Sequence, residues 1–335
     1  MSKLIIPAGY KSKLSARETQ KAIKLIKDNF QVKLASRLNL DRITAPIIVE
    51  SKSGINDDLN GVERKVKFDL KATGTDVEVV QSLAKWKRIA LHKYGYSAGE
   101  GIYTDMNALR RDDDMDNTHS VFVDQWDWEK IITKEDRNVD YLKDTVTKIV
   151  DSIADTLEIV KEKFPQIDVE IKREISFITT QELLDLYPDM SGKERENAYL
   201  KEHKTAFIMK IGNKLSNGEK HDGRAPDYDD WELNGDIMFY NELLGTAFEI
   251  SSMGIRVDAD SLKLQLKLAD CEERKEFKYH KSILDGTLPL TIGGGIGQSR
   301  LCMLILNKAH IGEVHASVWS EEMIKECKEN GIELL

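Results

Sequence analysis

The stretch Leu288 to Leu306 constrains this chain more than any other. Leu288, Leu290 and Ile292 read as a short buried strand, and Leu301-Cys302-Met303-Leu304-Ile305-Leu306 reads as a buried helix. Between them lies Gly293-Gly294-Gly295-Ile296-Gly297, followed by Arg300 in the first helical turn. Glycine lets the backbone pass close to a flat or charged ligand, and a helix N-terminus offers free N–H groups to phosphate. Arg300 adds a planar cation that can stack on a base or pair with a phosphate oxygen. Two common nucleotide motifs are absent: GxGxxG would need glycine at Gln298, and no Lys-Ser or Lys-Thr follows as in a P-loop. The competing reading is a tight strand-to-helix turn with a surface arginine.

The rest of the chain alternates helical and strand periods. Ser15-Ala16-Arg17-Glu18 matches a capping box, and apolar spacing predicts a helix over 15–38. A strand carrying Pro46 follows over 40–49, then a polar loop to Gly61 with the pair Asp57-Asp58, then a hairpin from Val66 to Val80. Residues 82–94 read as a helix whose cations (Lys85, Lys87, Arg88) suit a solvated face. Leu109-Arg110-Arg111-Asp112-Asp113-Asp114 is a charged loop, and a period of two resumes at Ser120. One face of that strand presents Gln125, Asp127 and Glu129, the other Trp126 and Trp128. Gln125 and Asp127 then sit about 7 Å apart, an arrangement that suits a ligand or a merely wet face.

An amphipathic helix spans 139–164 and stops at Pro165, with a strand at 169–178, short helices at 180–186 and 193–204, and a strand at 207–211. Lys220 to Trp231 is too polar for a core, and its acids suit Mg²⁺, an amine ligand or a hydrated loop. Strands at 236–240 and 246–252 follow, the second placing Ala247, Glu249 and Ser251 on one face. Helices at 260–268 and 271–284 lead to the glycines. These elements predict one α+β domain over 1–335, a mostly antiparallel sheet of six to eight strands flanked by helices. A net charge of −9 weighs against a nucleic-acid partner, and no run is long enough for a membrane span. Three scattered cysteines without metal spacing point to a reducing, cytoplasmic setting.

The glycine run with Arg300 resembles motif 3 of class II aminoacyl-tRNA synthetases, the Arg110 loop resembles motif 2, and the first helix with its proline-bearing strand resembles motif 1. Three longer strings narrow the likeness: Ser82-Leu83-Ala84-Lys85-Trp86-Lys87-Arg88, Val123 to Glu129, and Arg224 to Trp231 are similar to those of ammonia-dependent asparagine synthetases. The resemblance implies a class II synthetase-like core, a homodimer through motif 1, and β-aspartyl-AMP made from aspartate and ATP, then attacked by ammonia. It implies catalytic roles for Asp57, Arg110 and Gln125, with Asp58 and Arg111 as neighbouring competitors. Lys87, Gln125, Asp127, Arg224, Ser251 and Ser252 would bind aspartate. Arg110, Glu249, Gly295 and Arg300 would bind ATP, and Asp229 and Glu249 would hold Mg²⁺.

Motif 1 begins within fifty residues, so no anticodon-binding OB-fold is expected, and the first cysteine is Cys271, so free ammonia is the expected nitrogen donor. The rival reading is a truncated aspartyl- or asparaginyl-tRNA synthetase relative that adenylates an amino acid for another acceptor, or senses one.

Overall fold

The computed structural model describes residues 4–57 and 63–335. Helix α1 (Ala16–Leu38) starts from a complete capping box between Ser15 and Glu18 and ends on Asn39 in the left-handed conformation. Its apolar stripe (Ala22, Ile26, Phe30, Leu34) is fully buried. The strand expected over 40–49 is broken. Leu40–Arg42 (β1) pairs in parallel with Gly101–Leu109 (β5), whereas Ile48–Glu50 (β2) joins a second sheet with the hairpin Lys67–Leu70 (β3) and Thr75–Val79 (β4). Pro46 sits in the break, where its missing N–H costs no ladder bond. Helix α2 (Ala84–Tyr94) follows the hairpin.

Phe122–Ile131 (β6) returns antiparallel to β5, and α3 (Val139–Lys163) packs on α1. The strand expected at 169–178 shrinks to Ser176–Thr179 (β7), which runs into α4 (Thr180–Leu186) and α5 (Gly192–His203), each capped by a box at Thr179 or Ser191. Then come Thr205–Met209 (β8), buried throughout, Asp229–Asn241 (β9) and Thr246–Arg256 (β10). Helices α6 (Ala259–Leu268) and α7 (Lys278–Leu284) precede β11 (Thr291–Gly297) and α8 (Gln298–Ile305); α9 (Glu321–Glu329) closes the chain.

The main sheet has eight strands in the order β1-β5-β6-β11-β10-β9-β8-β7, antiparallel except for the two outermost pairs. One face carries Trp126, Trp128, Ile237, Phe239, Met253, Ile255, Ile292 and Ile296 into a single apolar core with α1, α3 and α8. Phe30 of α1 meets Trp126 at 4.6 Å between ring centroids. The opposite face of the central strands is left to polar side chains, flanked by α2 on one side and by α4 and α5 on the other. Among the described residues, no helix is long and apolar enough to cross a membrane.

The largest departure from expectation concerns the glycines. They do not form a turn but are the body of β11, a central strand paired on both sides, and α8 begins at the next residue. None of Gly293, Gly294, Gly295 and Gly297 has positive φ, so the run is not there for backbone freedom.

Behind the α8 layer, His310 sets a pH dependence of stability. Its Nδ1 accepts the Gly312 N–H at 3.0 Å, and Trp319 packs edge-on at 4.8 Å. Burial pushes the imidazole down to about 4, although Asp116 pulls it the other way. An exposed imidazole in the unfolded chain titrates near about 6.5. As pH falls from about 6.5 towards 4, the unfolded state therefore takes up a proton that the folded state refuses, and stability is lost across that window. Urea midpoints should fall between neutral and mildly acidic pH. They should fall less in His310→Asn, whose side-chain oxygen can still accept the Gly312 N–H.

Candidate active site

A cavity of about 930 Å³ lies on the polar face of the central strands. Its floor follows from strand register. Asp127 of β6 stands opposite Gly295 of β11, Gly295 opposite Ser252 of β10, and Ser252 opposite Asp236 of β9. One row further along, Glu129 faces Gly293, which faces Gly254. The glycines leave space that their neighbours fill. A Cβ on Gly295 would stand 2.2 Å from Gln125 Oε1, and one on Gly293 would stand 1.9 Å from Glu129 Oε2 and 2.6 Å from an Arg256 nitrogen. Side chains of β6 and β10 thus lie flat across β11, and the triple glycine is a bed for them.

Two buried ion networks furnish the inner end. Lys87, from α2, pairs with Asp127 and donates to the carbonyls of Trp128 at 2.9 Å and Gly294 at 3.2 Å. Arg256 spans Glu129, at 2.7 Å and 3.0 Å, and Asp229, with its guanidinium 5.8 Å from the Tyr228 ring. Burial alone would raise Glu129, but Arg256 and then Lys87 hold it below its ordinary value. Arg224 donates to the Ser252 hydroxyl and pairs, at 2.6 Å, with Asp236, and Asp236 and then Asp229 pull its guanidinium upward against the effect of burial. The cations expected on a solvated face of α2 are therefore buried: Lys87 is 1 % exposed and Arg88 donates to the carbonyls of Pro289 and Val257. Composition cannot reveal this, because the partner carboxylates and carbonyls come from distant strands.

The outer end is built by the 110–121 loop and the start of α8. Arg300 approaches Glu249 at 3.5 Å and donates to the Thr118 carbonyl. Arg110 reaches the cavity with its Nε buried and without a hydrogen-bond partner, and Arg111 is exposed and outside the lining. Phe122 lines the wall and is backed by His315, stacked at 4.6 Å. The N-terminus of α8 is already engaged: Asp124 accepts from the Ser299 N–H at 3.0 Å and from its hydroxyl. Arg110 and Arg300 are the cations that line this end, and the Ser299 N–H of α8 is taken by Asp124.

A sequence model of the aspartate-ammonia ligase family matches residues 17–331. The chain belongs to the aspartate–ammonia ligase family. The aspartate–ammonia ligase of Clostridium tetani is 60% identical over 334 residues, covering 99% of this chain and 98% of that protein. That of Lactobacillus acidophilus is 57% identical over 335 residues, covering 99% and 100%. Among solved structures, the asparaginyl-tRNA synthetase of Pyrococcus horikoshii complexed with asparaginyl-adenylate superposes with a TM-score of 0.64 at 16% identity, over 90% of this chain and 70% of that one. The aspartyl-tRNA synthetase of Entamoeba histolytica gives 0.58 at 18% identity, over 89% and 57%. The fold of this ligase-family enzyme is thus that of class II synthetases, as its three motifs suggested.

Of the residues singled out from sequence, Asp57, Lys87, Arg110, Gln125, Asp127, Arg224, Asp229, Glu249, Ser252, Gly295 and Arg300 all line the one cavity. Asp58 lies outside the described residues. Ser251 is not brought to the site. A bulge between Glu249 and Ser251 shifts the alternation of β10, so that Ser252 shares the cavity face and Ser251 turns to the core with its hydroxyl buried. No single-strand periodicity shows a bulge, since the extra residue is defined against the partner strand. Asp229 also departs from expectation: it is committed to Arg256 in a buried pair.

Three residues were missed. Arg256 follows Glu249-Ile250-Ser251-Ser252 closely in the chain, a position that alone assigns it no role. Phe122 opens β6 on the alternation that carries Trp126 and Trp128, and nothing in its spacing marks it as a wall of the site. Asp236 is pushed up to about 7, first by burial and then, Arg224 pulling the other way, by the Glu249 charge on the adjoining strand. A lone aspartate opening an otherwise apolar strand was its only signal.

Proposed function

We propose that this enzyme makes asparagine from aspartate and ammonia in this cavity, at the expense of ATP and through β-aspartyl-AMP. The reading is carried by one observation. A single cavity joins an outer end with two arginines, Arg110 and Arg300, to an inner end of paired charges, Lys87–Asp127 and Arg224–Asp236. Bringing a carboxylate to a phosphate requires neutralising and aligning two anions, which the outer arginines supply. The inner end suits a zwitterion: Lys87, Arg224 and Arg256 face its carboxylate, and Asp127 and Gln125 accept from its ammonium. The adenine ring would lie against Phe122, with Arg300 as the opposing planar cation.

Chemistry proceeds in two displacements. A β-carboxylate oxygen attacks the α-phosphorus, the bond to pyrophosphate breaks, and pyrophosphate leaves with the electron pair. Ammonia then attacks the β-carbonyl carbon, the bond to AMP breaks, and the nitrogen gives up a proton. Asp57, buried at the cavity wall, is the group we assign to receive ammonium and take its proton.

Mg²⁺ fits the outer end in part. Among the described residues no group of three or more His, Cys, Asp or Glu side chains could hold a metal alone. Mg²⁺ is commonly held by one or two carboxylates together with substrate phosphates, however. Glu249 with Asp236, whose charges repel across adjoining strands even though Arg224 pairs with Asp236, is the pair an ion would relieve, and Asp229 is paired with Arg256. Bound there, the ion would offset phosphate charge.

The homodimer is proposed on α1 and the segment after β1, where Val32 and Ile47 are exposed. A reducing cytoplasmic setting is proposed on three buried cysteines, all free. Residues 1–335 are proposed to act as one adenylating unit, without nucleic acid or membrane as partner. The test supplies ATP, Mg²⁺ and aspartate with either ammonium or glutamine and follows AMP and asparagine together. Equal yields of both products with ammonium, and almost none with glutamine, is the expected result. Aspartate-dependent pyrophosphate exchange without asparagine would move the reading to another acceptor.

A further inference from the structure

Helix α2 turns two lysines in opposite directions, since residues two apart on a helix lie about 200° around its axis. Lys87 reaches the cavity floor, and Lys85 enters a second buried cluster behind the wall. There Lys85 Nζ lies 2.9 Å from Asp227 Oδ2, the same oxygen accepts from Arg274 at 3.2 Å, and His280 Nε2 lies 3.0 Å from it. Asp227 and His280 are wholly buried and Lys85 is 3 % exposed. None of the roles assigned above uses this cluster, and burying three ionisable groups, with the half-buried Arg274 beside them, is costly unless their pairing is good.

Its neighbour is Asp57. Asn56 ties that residue to the chain just ahead of α2: its Nδ2 donates to the Val79 carbonyl at 3.0 Å, and its Oδ1 accepts from the Gln81 N–H at 2.9 Å and the Asp57 N–H at 3.1 Å. Asp57, Ser82 and Ala84 then line the same wall of the cavity. Burial would push the Lys85 ammonium down, but Asp227 and next Asp57 more than reverse this and hold it above its ordinary value. Burial would raise Asp227, yet Lys85 and His280 hold it far below the usual carboxylate range. Tyr279 also faces Lys85, and Tyr228 faces Asp57.

We propose that Lys85 is a positioning residue for the ammonia step: anchored by Asp227, it sets a fixed positive charge behind the stretch of cavity wall where Asn56 holds Asp57. Its own charge disfavours ammonium relative to ammonia at that spot, because a nearby like charge penalises the cationic form. One proton passes from ammonium to the Asp57 carboxylate, and the nitrogen lone pair attacks the β-carbonyl carbon. AMP leaves with the electrons of the broken C–O bond, and a second proton leaves the new amide nitrogen for solvent. The proposal rests on the reading of Asp57 as the ammonium-receiving group.

The experiment compares Lys85→Met, Lys85→Arg and Asp57→Asn in two assays: kcat/KM for ammonium in asparagine formation, and aspartate-dependent pyrophosphate exchange, which needs no ammonia. Lys85→Met should lower kcat/KM for ammonium at least about tenfold while pyrophosphate exchange stays within about twofold, and Lys85→Arg should restore most of the loss. Unchanged ammonium kinetics in Lys85→Met, with Asp57→Asn inactive in synthesis, would overturn the Lys85 role and leave Asp57 standing. Parallel loss of exchange and synthesis in both Lys85 variants would overturn it as well, marking a structural residue. Full asparagine synthesis by Asp57→Asn would remove the underlying reading whatever Lys85 does.

Discussion

Replacing Arg110 with alanine is expected to slow aspartyl-adenylate formation by at least about two orders of magnitude, the usual loss when one preorganised charge is taken from a transition state. Arg110 emerges from the end of β5, where its N–H bonds to the Val121 carbonyl at 2.9 Å, so its backbone is fixed by the base of the loop. Its Nε is buried with no hydrogen-bond partner. A guanidinium nitrogen left that way is costly to the resting protein, and a phosphate or carboxylate oxygen would satisfy it. Glu249, across the cavity, is held below its ordinary value by Arg300 first and by Arg110 among the rest, against burial. The two arginines and this glutamate therefore share one field at the place assigned to the phosphates. Aspartate-dependent pyrophosphate exchange is the measurement. Arg111→Ala, on an exposed side chain outside the cavity, should stay within about twofold, in keeping with surface substitutions. If Arg110→Ala kept near-normal exchange, the motif 2 loop would be wrongly placed.

The fold was legible wherever a local pattern decides the outcome. Ser15 and Glu18 formed the capping box their spacing announces, and the alternation from Val121 put Trp126 and Trp128 in the core and Gln125 and Asp127 on the cavity. The eight-stranded, mostly antiparallel sheet fell within the expected six to eight. What could not be read depended on a second strand or on a distant partner. The bulge that turns Ser251 away exists only relative to β9. The division of 40–49 between two sheets depends on β5 and β4 offering separate edges. The burial of Lys85, Lys87 and Arg88 depends on Asp227, Asp127 and two carbonyls far along the chain. Charged residues at helical spacing look alike whether water or carboxylates receive them, and only tertiary placement separates the cases. The glycine run is the sharpest example: its composition pointed to the strand that floors the cavity, but for a different physical reason.

That reason makes Gly293→Ala the most damaging single methyl group in the molecule by expectation. Its Cβ would fall 1.9 Å from Glu129 Oε2 and 2.6 Å from Arg256, and neither side chain can step aside. Glu129 is wholly buried and gripped by Arg256, with Lys87 3.8 Å away; Arg256 is pinned on its other side by Asp229. Forcing the carboxylate out of a buried pair costs about 3–5 kcal/mol. Gly293→Ala should therefore lower the urea unfolding midpoint sharply and abolish measurable synthesis. Gly295→Ala is the control that separates space from stability. Its Cβ would meet Gln125 Oε1 at 2.2 Å, but that amide is the end of a side chain that takes no hydrogen bond from the described residues and can swing into the cavity. This variant should keep its unfolding free energy within about 1 kcal/mol of the parent and lose activity through a misplaced Gln125, seen chiefly as a raised KM for aspartate. Equal stability of the two variants would mean that the glycines are not a bed for the side chains of β6 and β10, and that another constraint selects them.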